Sequence, residues 1–168
     1  MNTTLVDTRE LFIKMAVGGW DTQITRVSKL IDALSDEQLS ADAAPGRNSG
    51  TYLLGHLIAV SDNILEVMGW DKKQYPQLEN VFLKNPDKSG LEMPPLPVLR
   101  QYWKEINAKI SRHIKDMSPD DWFSRHTSVS EEDFSKEPHR NKLNVLLSRT
   151  THTSSHLGQL IYLTPIKK

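Results

Sequence analysis

Apolar residues recur every three or four positions in four long stretches of the chain, which is the period of a helix with one buried face. The stretches cover residues 7–34, 49–69, 97–114 and 142–163. No stretch shows the convincing alternation of apolar and polar residues that predicts a β-strand. The pattern therefore predicts an all-α protein, built as a four-helix bundle in a single domain over residues 1–168.

Two of the three connections between these helices are long, one after the second helix and one after the third. Residues 70–97 contain five prolines, which predicts an irregular path, and residues 124–140 are polar and without periodicity, which predicts a surface loop. A connection as long as the first can run the length of a bundle. This length favours an up-down-down-up order of the helices over a simple up-down-up-down order.

The first helix carries an apolar stripe, a glycine pair and one aspartate, each of which has a structural interpretation. Its predicted inward stripe includes Leu11, Phe12 and Met15. The glycine pair at 18–19 predicts either a bend or the close approach of another backbone. Asp21 is interpreted either as a partner of a metal-binding histidine or, more commonly for such a residue, as an exposed or capping side chain.

Three histidines are the candidate metal ligands. His152 and His156 are four residues apart in the predicted fourth helix, which places both rings on one face, about 6 Å apart, where one metal ion can contact both. His56 takes a position in the inward stripe of the second helix that an apolar residue would normally fill. The alternative is that the rings only form hydrogen bonds across the bundle. The other three histidines are predicted at a helix edge or in surface loops: His113, His126 and His139.

The positions of the three candidate ligands along their helices also bear on topology. At 1.5 Å per residue, His56 lies roughly 10 Å from the start of its helix, and His156 and His152 lie roughly 11 and 17 Å from the end of theirs. These depths match best if the second and fourth helices are antiparallel. The site then opens toward the loop at 41–50 and the segment at 93–97, where we expect the pocket.

Composition and charge narrow the possible partners. The 168-residue chain has 21 basic and 21 acidic residues, which argues against a nucleic-acid partner. No run approaches the roughly 18 apolar residues of a membrane span, and the start of the chain does not resemble a signal peptide, so a cytoplasmic protein without a membrane partner is expected. Because the chain has no cysteine, any metal is held by His, Asp or Glu, and any reacting thiol comes from another molecule.

The sequence around these histidines resembles the DinB-like (YfiT-like) metalloenzyme superfamily. The resemblance covers the whole chain and rests on the run LLGHLIAVSDNI around the first histidine, the run HTSSHLGQL around the other two, and the run WDTQ in the first helix. It implies an up-down-down-up bundle, a three-histidine site for a divalent metal, and a homodimer. The residues in the family's positions are His56, His152, His156, Gly158 and Gln159.

The resemblance also implies a relation to thiol-dependent enzymes, namely S-transferases or isomerases that use bacillithiol, mycothiol or glutathione. We therefore predict a metal-dependent transferase that joins a low-molecular-weight thiol to a small-molecule substrate, with zinc or nickel as the metal. A metal-dependent hydrolase and a non-enzymatic dimeric bundle with a structural or vestigial histidine cluster are the alternatives. Thr153 stands where an HExxH motif has its glutamate base. Leu157 stands where many members carry a basic residue, which weakens the expectation of a contact to an anionic thiol.

Overall fold

The computed structural model describes residues 7–165, which form helices and no β-strand. The all-α prediction is therefore confirmed for this part of the chain. A short 3₁₀ helix, Ile161–Leu163, follows the last of the α-helices. In chain order the α-helices are α1 (Thr8–Ala33), α2 (Asp36–Ser40), α3 (Gly50–Val67), α4 (Leu78–Phe82), α5 (Leu96–Asp116), α6 (Pro119–Trp122), α7 (Glu131–Lys136) and α8 (Lys142–Leu160).

The four long predicted helices are confirmed as α1, α3, α5 and α8, and each starts within one residue of its predicted position. Three of the starts are capped by a side-chain oxygen that accepts a hydrogen bond from a backbone N–H two or three residues later. The capping residues are Asp7, Ser49 and Asn141. Such caps satisfy backbone donors that have no partner inside the helix. Because capping residues are of few types, they mark the starts of these helices in the sequence.

Contacts between helix ends show that α1 and α5 run in opposite directions. Near the start of α1, the Arg9 guanidinium forms an ion pair of 2.7 Å with Asp120, which lies just beyond the end of α5. At the other end of the molecule, Arg100 in the first turns of α5 donates hydrogen bonds to the backbone oxygens of Ile31 and Leu34. The start of one helix therefore lies beside the end of the other.

The pair α3 and α8 is also antiparallel. The end of α3 lies near the segment that leads into α8, because the Thr127 backbone N–H donates to the Val67 oxygen. The start of α3 lies near the end of α8, because a side chain at Gly50 would touch Leu163 and the backbone of Leu39. These contacts are the ones expected for an up-down-down-up bundle, and the complete order of the four helices stays a prediction.

Helix α3 lies at the centre of the molecule. It contacts α2, α4, α5 and α8, and most of its side chains are buried, including Leu54, Ile58 and Leu65, which are fully covered. A helix that is surrounded in this way shows a wide apolar surface instead of a single stripe. His56 is one of the few partly exposed positions on it, so α3 presents this ring at the edge of a packed core.

Both long connections contain a helix that the sequence analysis did not predict. Within residues 70–97 the structure has α4, Leu78–Phe82, because the prolines flank this segment without interrupting it. Within residues 124–140 it has α7, Glu131–Lys136, whose start is capped by the Ser130 side chain. Helices of five or six residues are too short to show a periodic apolar pattern. The prediction of wholly irregular connections is therefore wrong at these two places.

The predicted inward stripe of α1 is wrong in its first two turns. Leu11, Phe12 and Met15 are 46%, 48% and 65% exposed. Apolar residues occur on both sides of these turns, and the side that packs on the bundle contains Ile13 and Ala16 instead. Periodicity identified a helix here but could not say which of two apolar sides the neighbouring helices cover.

The glycine pair does not interrupt α1, which continues through it as one helix. An added Cβ at Gly18 would meet no atom within 4 Å, and one at Gly19 would meet only the Thr150 side chain at 3.9 Å. The predicted close approach of another backbone is therefore wrong. Asp21 is exposed, in agreement with the commoner interpretation of that residue. Among the helices of residues 7–165, none is long and apolar enough to cross a membrane.

Candidate metal centre

The structure brings the three predicted histidines together where α3 and α8 face each other. His56 is on α3, and His152 and His156 are one turn apart on α8. The Nε2 atom of His152 lies 3.2 Å from that of His56 and 3.1 Å from that of His156. One nitrogen from each ring lies within 4.8 Å of the others, which makes the three residues a group that could hold a metal ion.

These distances fit the coordination sphere of a metal ion. Zinc bound tetrahedrally by imidazole at about 2.0–2.1 Å places neighbouring ligand nitrogens about 3.3 Å apart. The measured separations of 3.1 and 3.2 Å are close to that value. The rings are also directed nitrogen to nitrogen and not face to face, since the ring planes of His152 and His156 are inclined by 76°.

The outer nitrogens of two rings determine which tautomer the histidines adopt. His56 Nδ1 lies 2.8 Å from the backbone oxygen of Phe82, and His156 Nδ1 lies 2.7 Å from Gln159 Oε1. Because an oxygen of this kind only accepts, each Nδ1 carries the proton and each Nε2 presents a lone pair to the cluster. The Nε2 of His152 can give its single proton to only one of them. A cation at the centre would satisfy all three nitrogens.

Burial favours the neutral form of two of the three rings, His56 and His152. Burial is the main cause that lowers the pKa of His56, and the positive charges of His156 and Arg149 lower it further. Burial, followed by the charges of His156, His56 and Arg149, lowers the pKa of His152 to about 4. Neutral imidazole is the form that binds a metal. Within the described part of the chain, the buried Nδ1 of His152 has no hydrogen-bond partner.

Helix α4, which the spacing of apolar residues does not predict, holds the His56 ring in place. Phe82 is fully buried against Gly55, where an added Cβ would lie only 2.2 Å from its ring. Tyr52 packs beside it, and its hydroxyl donates to the Asn85 oxygen at 2.7 Å. These contacts fix α4 so that the Phe82 carbonyl faces the histidine. The apolar pair Leu78 and Phe82, four residues apart between prolines, was the available signal.

The predicted inward stripe of α8 is correct at its end and wrong earlier in the helix. The spacing predicts a stripe of Val145, His152, His156, Leu160 and Leu163; the last two are buried as predicted, but the first three are only partly buried. In that earlier part the residues that face the core are instead Leu146, Thr153 and Leu157. The spacing of apolar residues does not predict this face, because one of its buried residues, Thr153, is polar. The histidines therefore lie at the edge of the core, where a small molecule can reach them.

The predicted pocket at the end of the bundle is present in part. A cavity of about 580 Å³ is bounded by the loop at 41–50 together with Leu53, Gln159 and Tyr162. Gln159 connects this cavity to the histidine cluster, because its amide oxygen contacts His156. The segment at 93–97 does not contribute to it, since Met93, Pro94 and Pro95 line a separate cavity.

The remaining histidines lie outside the cluster. His113 stacks on Trp70, with ring centroids 5.1 Å apart and planes inclined by 7°. His139 is exposed, as predicted. His126 differs from the prediction of a surface position, because its ring is partly covered and its Nδ1 is buried.

The fold and the site together define an all-α protein with a three-histidine group of metal-binding geometry. The sequence model of the DinB superfamily matches residues 20–160, a span that contains all three histidines. The chain belongs to the DinB superfamily. No curated protein matches the chain significantly.

Proposed function

We propose that His56, His152 and His156 bind a divalent metal ion, zinc or nickel, and that the protein transfers a low-molecular-weight thiol to a small-molecule electrophile. The observation that carries this proposal is the convergence of the three Nε2 atoms, two of which belong to rings held by an acceptor on the outer nitrogen. Acceptors behind the ligands are typical of metal-binding histidines. Membership of the DinB superfamily is compatible with the metal.

In such a reaction the protein would hold the metal with only three ligands, the imidazoles of His56, His152 and His156. Three neutral imidazoles leave at least one coordination position open, as catalytic zinc sites do. A metal ion bound there would supply a positive charge that lowers the pKa of a thiol at the open position. The Phe82 carbonyl and the Gln159 amide hold two of the rings, His56 and His156, in the tautomer that metal binding requires.

The cavity beside Gln159 gives the electrophile a place to bind. Its volume of about 580 Å³ falls within the range of roughly 300–1,000 Å³ that is usual for small-molecule sites. Its wall combines apolar side chains such as Ala43 and Leu53 with polar ones, Asn48 and the cationic Arg47 among them. A partly apolar organic molecule with a few polar atoms suits this lining.

The proposal is tested with zinc- or nickel-loaded protein, a chlorinated dinitroaromatic electrophile, and glutathione, bacillithiol or mycothiol in turn. In the expected reaction the thiol sulfur bonds to carbon, chloride leaves, and the thiol proton passes to solvent. Mass spectrometry should detect the thioether, and His152→Ala should abolish its enzyme-dependent formation. His139→Ala removes an exposed histidine outside the cluster and should leave the rate unchanged. The same rate in both variants would refute the proposal.

A metal-dependent hydrolase is the second candidate, because the same open position could bind water. One observation favours the thiol. The partners of the histidine nitrogens in the described residues are other histidines, a backbone oxygen and an amide oxygen, with no carboxylate to act as a general base toward water. Metal-dependent hydrolysis of a nitrophenyl ester in the absence of thiol, without any thioether formation, would favour the hydrolase.

A non-enzymatic bundle with a structural histidine cluster is distinguished by metal removal. A structural metal contributes directly to folding, so chelation should lower the melting temperature sharply. A catalytic metal at the edge of the core should leave most of the fold stable when it is removed. The homodimer and the cytoplasmic location stay predictions. Light scattering during size-exclusion chromatography gives the mass that tests the first of them.

A further inference from the structure

A second cavity lies along the same junction of α3 and α8, on the side of the histidine cluster away from the loop at 41–50. It has a volume of about 330 Å³. None of the residues around it is acidic, and most can donate hydrogen bonds. The lining residues with polar side chains are Asn63, His126, Ser128, Asn144, Ser148 and Arg149.

Arg149 lies between this cavity and the metal cluster. It is three residues before His152 on α8, so the two side chains share a face of the helix. Its side chain lines the cavity beside Ser148 and Asn63. Arg149 is partly buried, and burial alone lowers the pKa of its guanidinium. In residues 7–165 it has no acidic partner, so a positive charge stands uncompensated beside the cluster.

The far side of the cavity is also electropositive. The Nδ1 atom of His126 is buried and, within residues 7–165, has no hydrogen-bond partner. Burial first, and then the charges of Arg140 and Arg125, lower the pKa of His126. Asn63 and Asn144 add amide groups to the same wall. An unpaired cation and a buried ring nitrogen without a partner are costly unless a ligand compensates for them.

We propose that this cavity binds the oxyanion of the thiol co-substrate, a carboxylate or a phosphate, with Arg149 as its principal contact. At 1.5 Å per residue, Arg149 and Asn63 lie about 5 and 10 Å along their helices from the nearest histidine ligand. A thiol whose acidic group is a few bonds from its sulfur spans that distance. The inference rests on the proposed function and adds the chemical class of thiol that the site selects.

The first experiment uses metal-free protein, so that its outcome does not depend on the metal site. Inorganic phosphate and succinate are titrated separately into ¹⁵N-labelled protein, and the amide signals of Asn63, Asn144 and Ser148 are followed by NMR. We expect saturable shifts in the wild type, and an anion affinity that is about tenfold or more lower in Arg149→Gln. Arg112→Gln, which removes an exposed arginine on α5, should bind like the wild type.

The outcomes of this titration separate the possible ligands. Tighter binding of phosphate identifies a phosphate-bearing co-substrate, and tighter binding of succinate identifies a carboxylate. Arg149→Lys keeps the charge and should recover part of the affinity, which controls for any loss of fold in Arg149→Gln. No saturable shift in the wild type, or equal shifts in wild type and Arg149→Gln, would overturn the inference.

The second experiment links the anion to the metal. Cobalt-loaded protein is titrated with 3-mercaptopropionate and with 2-mercaptoethanol, and thiol binding is read from the sulfur-to-cobalt absorption band. We expect the carboxylate-bearing thiol to bind about tenfold more tightly and Arg149→Gln to remove that advantage while affinity for 2-mercaptoethanol is kept. Equal affinities in the wild type would overturn the inference. Failure of cobalt to bind would instead refute the proposed function, and the anion titration would stand separately.

Discussion

Replacing Gly55 by alanine should weaken metal binding although the residue contacts no metal. The added Cβ would lie 2.2 Å from the Phe82 ring, far inside the distance at which carbon atoms can pack. Phe82 is fully buried and cannot swing into solvent. The ring must therefore move away from α3 and take with it the backbone oxygen that orients His56.

The size of the effect has two parts. Overpacking in a closed core typically costs about 1–3 kcal/mol, and the depth of this overlap places Gly55→Ala toward the upper end. Loss of the hydrogen bond behind a metal-binding histidine typically lowers metal affinity by about 10–100-fold. The two parts are separable, because the first is a property of the metal-free protein and the second is measured on metal binding.

Urea unfolding of the metal-free protein and calorimetric titration with zinc measure the two parts. Gly158→Ala is the matched control, since it places the same methyl group on α8 two residues after His156, where no atom lies within 4 Å. That control should keep its zinc affinity and gain up to about 1 kcal/mol of stability from helix propensity. Wild-type stability and zinc affinity in Gly55→Ala would refute the account of how α4 orients His56.

Three further predictions concern single side chains around the site. Gln159→Leu removes the acceptor behind His156 at an exposed position, so calorimetry should show about tenfold weaker zinc binding with an unchanged melting temperature. Asp62→Ala removes a buried carboxylate that accepts hydrogen bonds from the backbone N–H groups of Gln74 and Tyr75, so two buried donors lose their partner. Urea unfolding should show a loss of about 2–4 kcal/mol, and a loss below about 0.5 kcal/mol would contradict this prediction. The pKa of His152 falls from 6.5 to about 4 on folding, so the unfolded chain takes up the proton first, and stability present above pH 6.5 is lost as the pH falls toward 4. Thermal melts of metal-free protein across that range should show a shallower pH dependence in His152→Asn than in the wild type.

The long helices and the three histidines could be predicted from sequence because each depends on local information. Side-chain caps such as Ser49 mark helix starts, and the spacing of His152 and His156 places both rings on one face of α8. The antiparallel arrangement that brings His56 to the same level followed from distances along the helices. These predictions needed only the period and rise of an α-helix.

The supporting contacts could not be predicted, because they join residues through short or mixed-polarity segments. The carbonyl of Phe82 reaches His56 from a five-residue helix that has no periodic pattern of its own. Thr153 faces the core although it is polar, and Met15 faces solvent although it is apolar. Which side of a helix is covered depends on where the neighbouring helices pack against it. That information is absent from the spacing of residues along one segment.

Metal content, measured by mass spectrometry on untagged protein after incubation with zinc or nickel, shows whether the three histidines bind a metal ion. The wild type is compared with a double variant in which both His152 and His156 are replaced by alanine. A second double variant, with His113 and His139 replaced by alanine, controls for the loss of two histidines outside the cluster. We expect close to one metal ion per chain in the wild type and the control, and almost none in the first double variant. Absence of metal from the wild type, or equal metal in the first double variant, would contradict this expectation.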